Sequence, residues 1–302
     1  MPASFFTPSY SHHYSKYLGA FIDEIPITNI NNDLTRWIQS KPDGTIVYSA
    51  FGSTSIIPYE RMYNLINGLA NFLLEEDDSS ILLAFRNVNY DTYQTVLANL
   101  NDDEFRKILK NEDRVRIENG FVQQKWILQQ NQIKIFLSHC GMGSALEALY
   151  YNKPLLCMPF CLDQFSNAIA IDNLDVGQSL FVPPSLWQSL IKPYDFAKYT
   201  FTAASVTNKL LAMWSNVLYK EAAERMSLEM KYAGGVKQAV KEIEFFVHLG
   251  GDLDRFTPFS STLPFYQRYM FDLLFVFIVL PGTIFLYICF KCCKRRQKSK
   301  ID

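Results

Sequence analysis

Apolar residues in this chain fall into short continuous runs, and the stretches between those runs show a helical period. Residues 45–50 (TIVYSA) form one such run and end at Phe51, Gly52 and Ser53, which suits a strand covered on both faces. Pro58 opens a stretch to about residue 76 in which Leu65, Leu69, Phe72 and Leu73 share one face, so a helix is expected there. Further strands are expected at residues 81–85, 115–122, 133–138 and 155–158, the last two each followed by a helix-like segment. Strands alternating with helices at this spacing predict an α/β fold, a Rossmann-like parallel sheet with helices on both faces. Residues 195–248 read as helical, broken near Gly234-Gly235, and residues 252–264 as a loop. Residues 1–30 are polar and aromatic without a clear period and read as a linker or interdomain strap.

The pattern changes near the end. Residues 273–290 contain no charged side chain, and a bilayer takes roughly 20 apolar residues to cross. Pro281-Gly282 interrupts the run, as spanning helices tolerate. Tyr266, Tyr269 and Tyr287 lie near its ends, and Lys291, Lys294, Arg295, Arg296, Lys298 and Lys300 follow it. These features predict a globular domain over residues 31–258, a juxtamembrane loop at 259–269, a transmembrane helix at 270–290 and a cytoplasmic basic tail at 291–302. The globular part then lies on the far side of the membrane. The last five residues (KSKID) resemble the dilysine retrieval signal of endoplasmic reticulum membrane proteins, so a single-pass type I protein with a lumenal domain is expected. Residues 1–23 have neither a basic start nor an apolar core, so they do not read as a signal peptide, and an upstream segment is expected to be absent from this sequence.

The 302 residues are 49% hydrophobic, enough for a sizeable core, and a net charge of −1 gives no reason to expect nucleic acid as a partner. Of six cysteines, Cys289, Cys292 and Cys293 lie in or beside the apolar run. Cys140, Cys157 and Cys161 are an odd number in the globular part and read as packing residues, with no disulfide framework. No His/Cys spacing matches a zinc site, and no metal or cofactor is expected.

In an open parallel sheet, ligands sit beyond the carboxyl ends of the strands. Gly52 and Ser53 fall at one such end, and the run His139-Cys140-Gly141-Met142-Gly143-Ser144 at another. A helix beginning near Ser144 presents free N–H groups and partial positive charge to an anion. Gly141 and Gly143 let a phosphate approach the backbone, Ser144 adds a hydroxyl, and His139 is placed to donate to a phosphate oxygen. Glu147, one turn on, suits a ribose hydroxyl. Asp163 and Gln164, after the next strand and the Pro159-Phe160 corner, suit the hydroxyls of a hexose. Phe121 suits stacking on a base, worth roughly 1–3 kcal/mol, and Gln124 suits its polar edge. Singly, each has a plainer reading: Glu147 as a solvated helix face, Asp163 as a helix cap, Phe121 as core. Their order and intervals are what join them.

Residues 121–164 resemble the signature of the UDP-glycosyltransferases, in particular the UDP-glucuronosyltransferase-like members. That signature runs from an aromatic-x-Pro-Gln element through Thr-His-x-Gly to a Glu and a closing Asp-Gln over 44 residues, the same length as residues 121–164 here. Phe121-Val122-Gln123-Gln124 stands for the opening, Ser138-His139-Cys140-Gly141 for the centre, and Asp163-Gln164 with Asn167-Ala168 for the close. Phe121 replaces the usual Trp and Gln123 the usual Pro, while Met142 and Gly143 depart from the Trp and Asn common in plant members. Residues 47–53 look like the family's Phe-Ser-x-Gly-Ser strand and loop. The resemblance implies the C-terminal, donor-binding half of a GT-B fold. It implies inverting transfer of glucuronic acid or glucose from a UDP-sugar co-substrate to a small lipophilic acceptor at a membrane, with homo- or hetero-oligomers alongside full-length relatives. The family's general base is a His, oriented by an Asp, in an N-terminal acceptor domain, so no catalytic base is expected in this chain; His12-His13 falls in the linker-like start. Two other readings stand beside this one: a subunit of a split transferase, and a non-catalytic membrane-anchored UDP-sugar-binding or regulatory partner.

Overall fold

Six parallel strands form one sheet in this computed structural model, which describes residues 18–22, 32–53, 55–184, 199–250 and 263–298, with side chains up to 291. The strands are β1 (Ile46–Ala50), β2 (Ser80–Phe85), β3 (Val115–Asn119), β4 (Ile133–Ser138), β5 (Leu155–Cys157) and β6 (Gly177–Ser179), in the order β3-β2-β1-β4-β5-β6. The expected parallel α/β sheet is present, with β6 as an additional edge strand. Most of the expected 1–30 strap, with His12-His13, lies outside the described residues.

Every residue of β1 and β2 is buried, because helices cover both faces. Strand alternation divides these side chains between two cores. Val47, Ile81, Leu83, Phe85, Ile135 and Leu137 point to one face, and Tyr48, Leu82, Ala84 and Phe136 to the other. In chain order the helices are α1 (Asp33–Gln39), α2 (Tyr59–Glu75), α3 (Asn87–Ala98), α4 (Asp103–Leu109), α5 (Gln124–Gln129), α6 (Met142–Tyr150), α7 (Asp163–Asn173), α8 (Ala203–Ser215), α9 (Leu218–Tyr232) and α10 (Gly235–His248). The first core takes Leu65, Leu69 and Phe72 from α2 and Val206 and Leu210 from α8. The second takes Ile38 of α1, Trp126 of α5, Ala145 and Leu149 of α6, and Ala223 and Met226 of α9.

Gly68 lies where α2 packs directly on α8. A Cβ there would lie 2.6 Å from both the Ala203 carbonyl oxygen and the Val206 Cβ, and Thr207 Oγ1 donates to the Gly68 carbonyl at 3.0 Å. Alanine ordinarily stabilises a helix interior relative to glycine, but here backbone and core atoms stand in its way. Gly68→Ala is therefore expected to destabilise by about 1–3 kcal/mol, a drop of several degrees in Tm by thermal melting. An unchanged or raised Tm would show that the crossing is looser than described.

A second unit, Glu244–Asp302, holds the apolar segment. Residues Phe271–Lys291 form a helix of 21 residues with mean hydropathy 2.6 and no buried side chain, long and apolar enough to cross a membrane. Its Phe275–Val279 stretch is a π-helical turn just before Pro281. Proline has no N–H for the helical ladder, and the wider turn before it absorbs the missing bond.

Candidate functional site

The strand order reverses between β1 and β4, whose connections run to opposite sides, and a crevice opens there beyond their carboxyl ends. A cleft of about 520 Å³ lies on that side, lined by Gly52 and Ser53 after β1, Phe121 and Gln124 before and at the start of α5, and Ser144 and Glu147 on α6. Six of the eleven sequence-derived site residues thus share one cleft. Phe121 is 84% exposed at its wall, following Gly120 at φ 138°. That glycine ends β3 earlier than the run 115–122 suggests and frees the phenylalanine from the core. Gln124 does not present its amide nitrogen outward: Nε2 donates to Glu147 Oε2 at 2.7 Å and to Ser144 Oγ at 3.2 Å.

Helix α6 begins at Met142, with Gly141 as its N-cap and no side chain capping it. Its first N–H groups therefore face the crevice without an intrahelical partner, and its dipole places positive potential there. The His139 ring sits between two glycines. A Cβ on Gly52 would be 2.9 Å from its Cε1 and Nε2, and one on Gly141 would be 2.6 Å from Nε2. The glycines thus serve the imidazole at least as much as a ligand. A Cβ on Gly143 would meet nothing within 4 Å, so that position opens onto free space. Ser138 Oγ accepts from the Cys140 N–H at 3.3 Å and lies 3.3 Å from His139 Nδ1, within hydrogen-bond reach of the imidazole. Burial holds the His139 pKa below the ordinary histidine value, with the Asp163 carboxylate opposing that shift. A neutral imidazole held between Gly52 and Gly141 is the result.

Asp163 opens α7, after Leu162 at φ 51°, an uncommon conformation for a branched side chain. Asn167 Nδ2 donates to Asp163 Oδ2 and to the Cys140 carbonyl, both at 3.0 Å, tying the start of α7 to the turn after β4. Gln164 is buried and turns inward: its Oε1 accepts from the Phe160 N–H at 2.8 Å and the Cys161 N–H at 3.2 Å, while Nε2 approaches Cys161 Sγ at 3.5 Å.

One expectation is corrected. Cys140 and Cys157 are not separate packing residues but a disulfide, with Cα atoms 5.4 Å apart, and Cys161 is free and exposed. Cys157 pairs in register with Ser138 on the adjacent strand, so the next turn brings Cys140 across to it. A cysteine count cannot show that adjacency. Sequence reasoning also misses Arg86, at the carboxyl end of β2 on the cleft lining, and the role of Ser138 beside the imidazole. A lone basic residue directly after an apolar strand is the available signal for Arg86.

Comparison with known proteins follows the same line. The family model described as UDP-glucoronosyl and UDP-glucosyl transferase matches residues 22–301. UDP-glucuronosyltransferase 3A1 of Xenopus laevis is 25% identical over 275 residues, covering 90% of this chain and 46% of the relative. UDP-glycosyltransferase 708A6 of Zea mays is 31% identical over 146 residues, 48% of this chain and 29% of the relative. Among solved structures, Os79 from O. sativa in complex with U2F and trichothecene superposes with TM-score 0.55 at 21% identity, over 71% of this chain and 44% of that one. LpCGTa in complex with UDP gives TM-score 0.54 at 21% identity, over 76% and 45%. The chain spans less than half the length of these relatives. The part shared with these GT-B structures is the parallel six-stranded sheet with helices on both faces, less than half of each.

Proposed function

The chain belongs to the UDP-glucoronosyl and UDP-glucosyl transferase family, and from that premise we propose that it is the donor-binding part of a membrane-anchored UDP-glycosyltransferase that moves glucuronic acid or glucose to a small lipophilic acceptor. The observation that carries this reading is the uncapped start of α6 opening on the β1/β4 crevice, beside a cleft lined by Phe121, Gln124, Ser144 and Glu147. In this reading the diphosphate lies against the Gly141–Ser144 turn, where backbone N–H groups and the His139 imidazole meet it. Phe121 stacks on the uracil. Glu147, held by Gln124, accepts from the ribose hydroxyls. Asp163 takes hexose hydroxyls, and Gln164, whose oxygen is committed to its own loop, has an N–H left to offer.

Displacement at the anomeric carbon inverts it, and charge builds on the departing UDP as the bond breaks. Fixed donors at α6 and His139 stabilise that charge without reorganising. The acceptor hydroxyl and the base that takes its proton belong, in this proposal, to an acceptor domain outside residues 1–302. The type I endoplasmic reticulum topology rests on the apolar helix at Phe271–Lys291 and the basic residues behind it. A buried disulfide suits an oxidising lumen.

Titration calorimetry of the full chain in detergent tests the donor site. UDP is expected to bind at least about tenfold more tightly than uridine, since the diphosphate contacts are charge-assisted and worth about 1.5–3 kcal/mol each. Equal affinities would overturn the placement of the diphosphate. Turnover on adding the acceptor half of a relative would separate a transferase subunit from a non-catalytic UDP-sugar binder.

A further inference from the structure

At the opposite end of the sheet, beneath the amino ends of β1, β4 and β5, lies a cavity of about 780 Å³, larger than the donor cleft. Four lysines line it against two carboxylates, Asp43 and Glu224. Lys153 is buried and fixed by donating to the Gln130 carbonyl at 2.8 Å and the Ile133 carbonyl at 3.0 Å. Lys134 reaches over the Trp214 ring, Nζ 4.0 Å from its centroid, and Lys231 over the Tyr150 ring at 4.9 Å. Lys220, on the first turn of α9, faces Glu224 at 3.8 Å. The amino end of α9 also reaches the cavity through Asn216 and Val217, adding its own positive potential.

Carbonyl oxygens and ring faces solvate an ammonium but do not cancel its charge, and Lys220 adds a like charge beside two of the others. Burial pushes Lys153 down to about 8, with the Lys220 ammonium adding to the shift and Asp43 opposing it. Lys134 is lowered by burial too, with Glu76 opposing and Lys220 adding. Lys220 is thus the common neighbour of two partly buried ammonium groups that approach from β4 and from just before β5. Nothing in the donor site uses this charge.

We infer that this cavity is a second anion site, built for a small phosphorylated ligand carrying at least two phosphate charges. Its room exceeds that of a single phosphate, and compact ammonium groups brought to one cavity by β4, the turn before β5 and α9 match a multivalent phosphate better than a lone carboxylate. A soluble phosphorylated metabolite and a phosphorylated lipid headgroup share this chemistry.

The test is amine-reactive footprinting of the full chain in neutral phosphatidylcholine nanodiscs, with inorganic pyrophosphate as the probe, with and without UDP. Pyrophosphate is expected to slow labelling of Lys134, Lys220 and Lys231, whether or not UDP is present, and to leave Lys41 and Lys107 unchanged. Lys220→Glu should weaken that protection about tenfold or more, the effect of reversing one charge among several. Lys220 is 67% exposed, so the variant is expected to fold, and Lys220→Ala with a thermal melt serves as its control. Nanodiscs containing phosphatidic acid that protect the same lysines without pyrophosphate would assign a headgroup as the source, and no such protection would assign a soluble ligand. Protection that is absent, uniform over all lysines, or unchanged in both Lys220 variants would overturn the site.

Discussion

Gly141→Ala is expected to lower UDP affinity roughly 10- to 100-fold while leaving the chain folded. Gly141 has φ −60° and ψ 144°, a conformation open to alanine, so the backbone imposes no penalty. The methyl group would instead sit 2.6 Å from His139 Nε2. The ring's room to retreat is limited on its other side by Gly52, where a Cβ would lie 2.9 Å from Cε1 and Nε2. The imidazole or the whole turn must move, at a cost of about 1–3 kcal/mol, and a shift there moves the N–H groups at the start of α6. Gly143→Ala is the companion measurement. It lies in the first turn of α6 with open space around it, so alanine should stabilise the fold by up to about 1 kcal/mol. Any loss of UDP binding in that variant would report close approach of the ligand to the backbone. Calorimetry with UDP and a thermal melt read both variants. Wild-type UDP affinity in Gly141→Ala would remove His139 and its turn from the diphosphate site.

The sheet is legible because its central strands are short, mostly apolar and separated by helices with one apolar face. Runs such as 45–50 and 133–138 have few other ways to be buried, and β1 and β4 fall where they do. Less was legible at edges and ends. β6, Gly177–Ser179, has no apolar run, and it becomes a strand only by extending the ladder from β5. The site was legible as an order of residues along the chain, not as a network. Spacing placed Gln124, Ser144 and Glu147 near one another, but it did not show that the Gln124 amide bridges the other two. It placed Asp163 and Gln164 side by side, but not that the buried Gln164 spends its oxygen on the Phe160 and Cys161 N–H groups while Asp163 stays outside. The Cys140–Cys157 bond depends on the register of two adjacent parallel strands, which a cysteine count does not contain.

That contrast between neighbours makes Asp163→Ala the sharper probe of the hexose. Replacing Gln164 would strand two backbone donors and loosen the Phe160 corner, so losses there would mix structure with recognition. Asp163 is exposed, and the Asn167 amide that donates to it keeps its bond to the Cys140 carbonyl when the carboxylate is removed. The turn after β4 should therefore hold its shape. His139, already shifted down by burial, loses the carboxylate that opposes that shift and stays neutral at pH 7. The diphosphate contacts are left as they were. If the carboxylate accepts two hydroxyls of the sugar, each charge-assisted bond contributes about 1.5–3 kcal/mol. Asp163→Ala should then weaken a UDP-hexose by roughly 100-fold or more, with UDP itself changed no more than about threefold. Parallel titrations with UDP and with UDP-glucose or UDP-glucuronic acid measure the two numbers. A matched loss for both ligands would mean that Asp163 acts on the nucleotide through the turn, and that the hexose is held elsewhere.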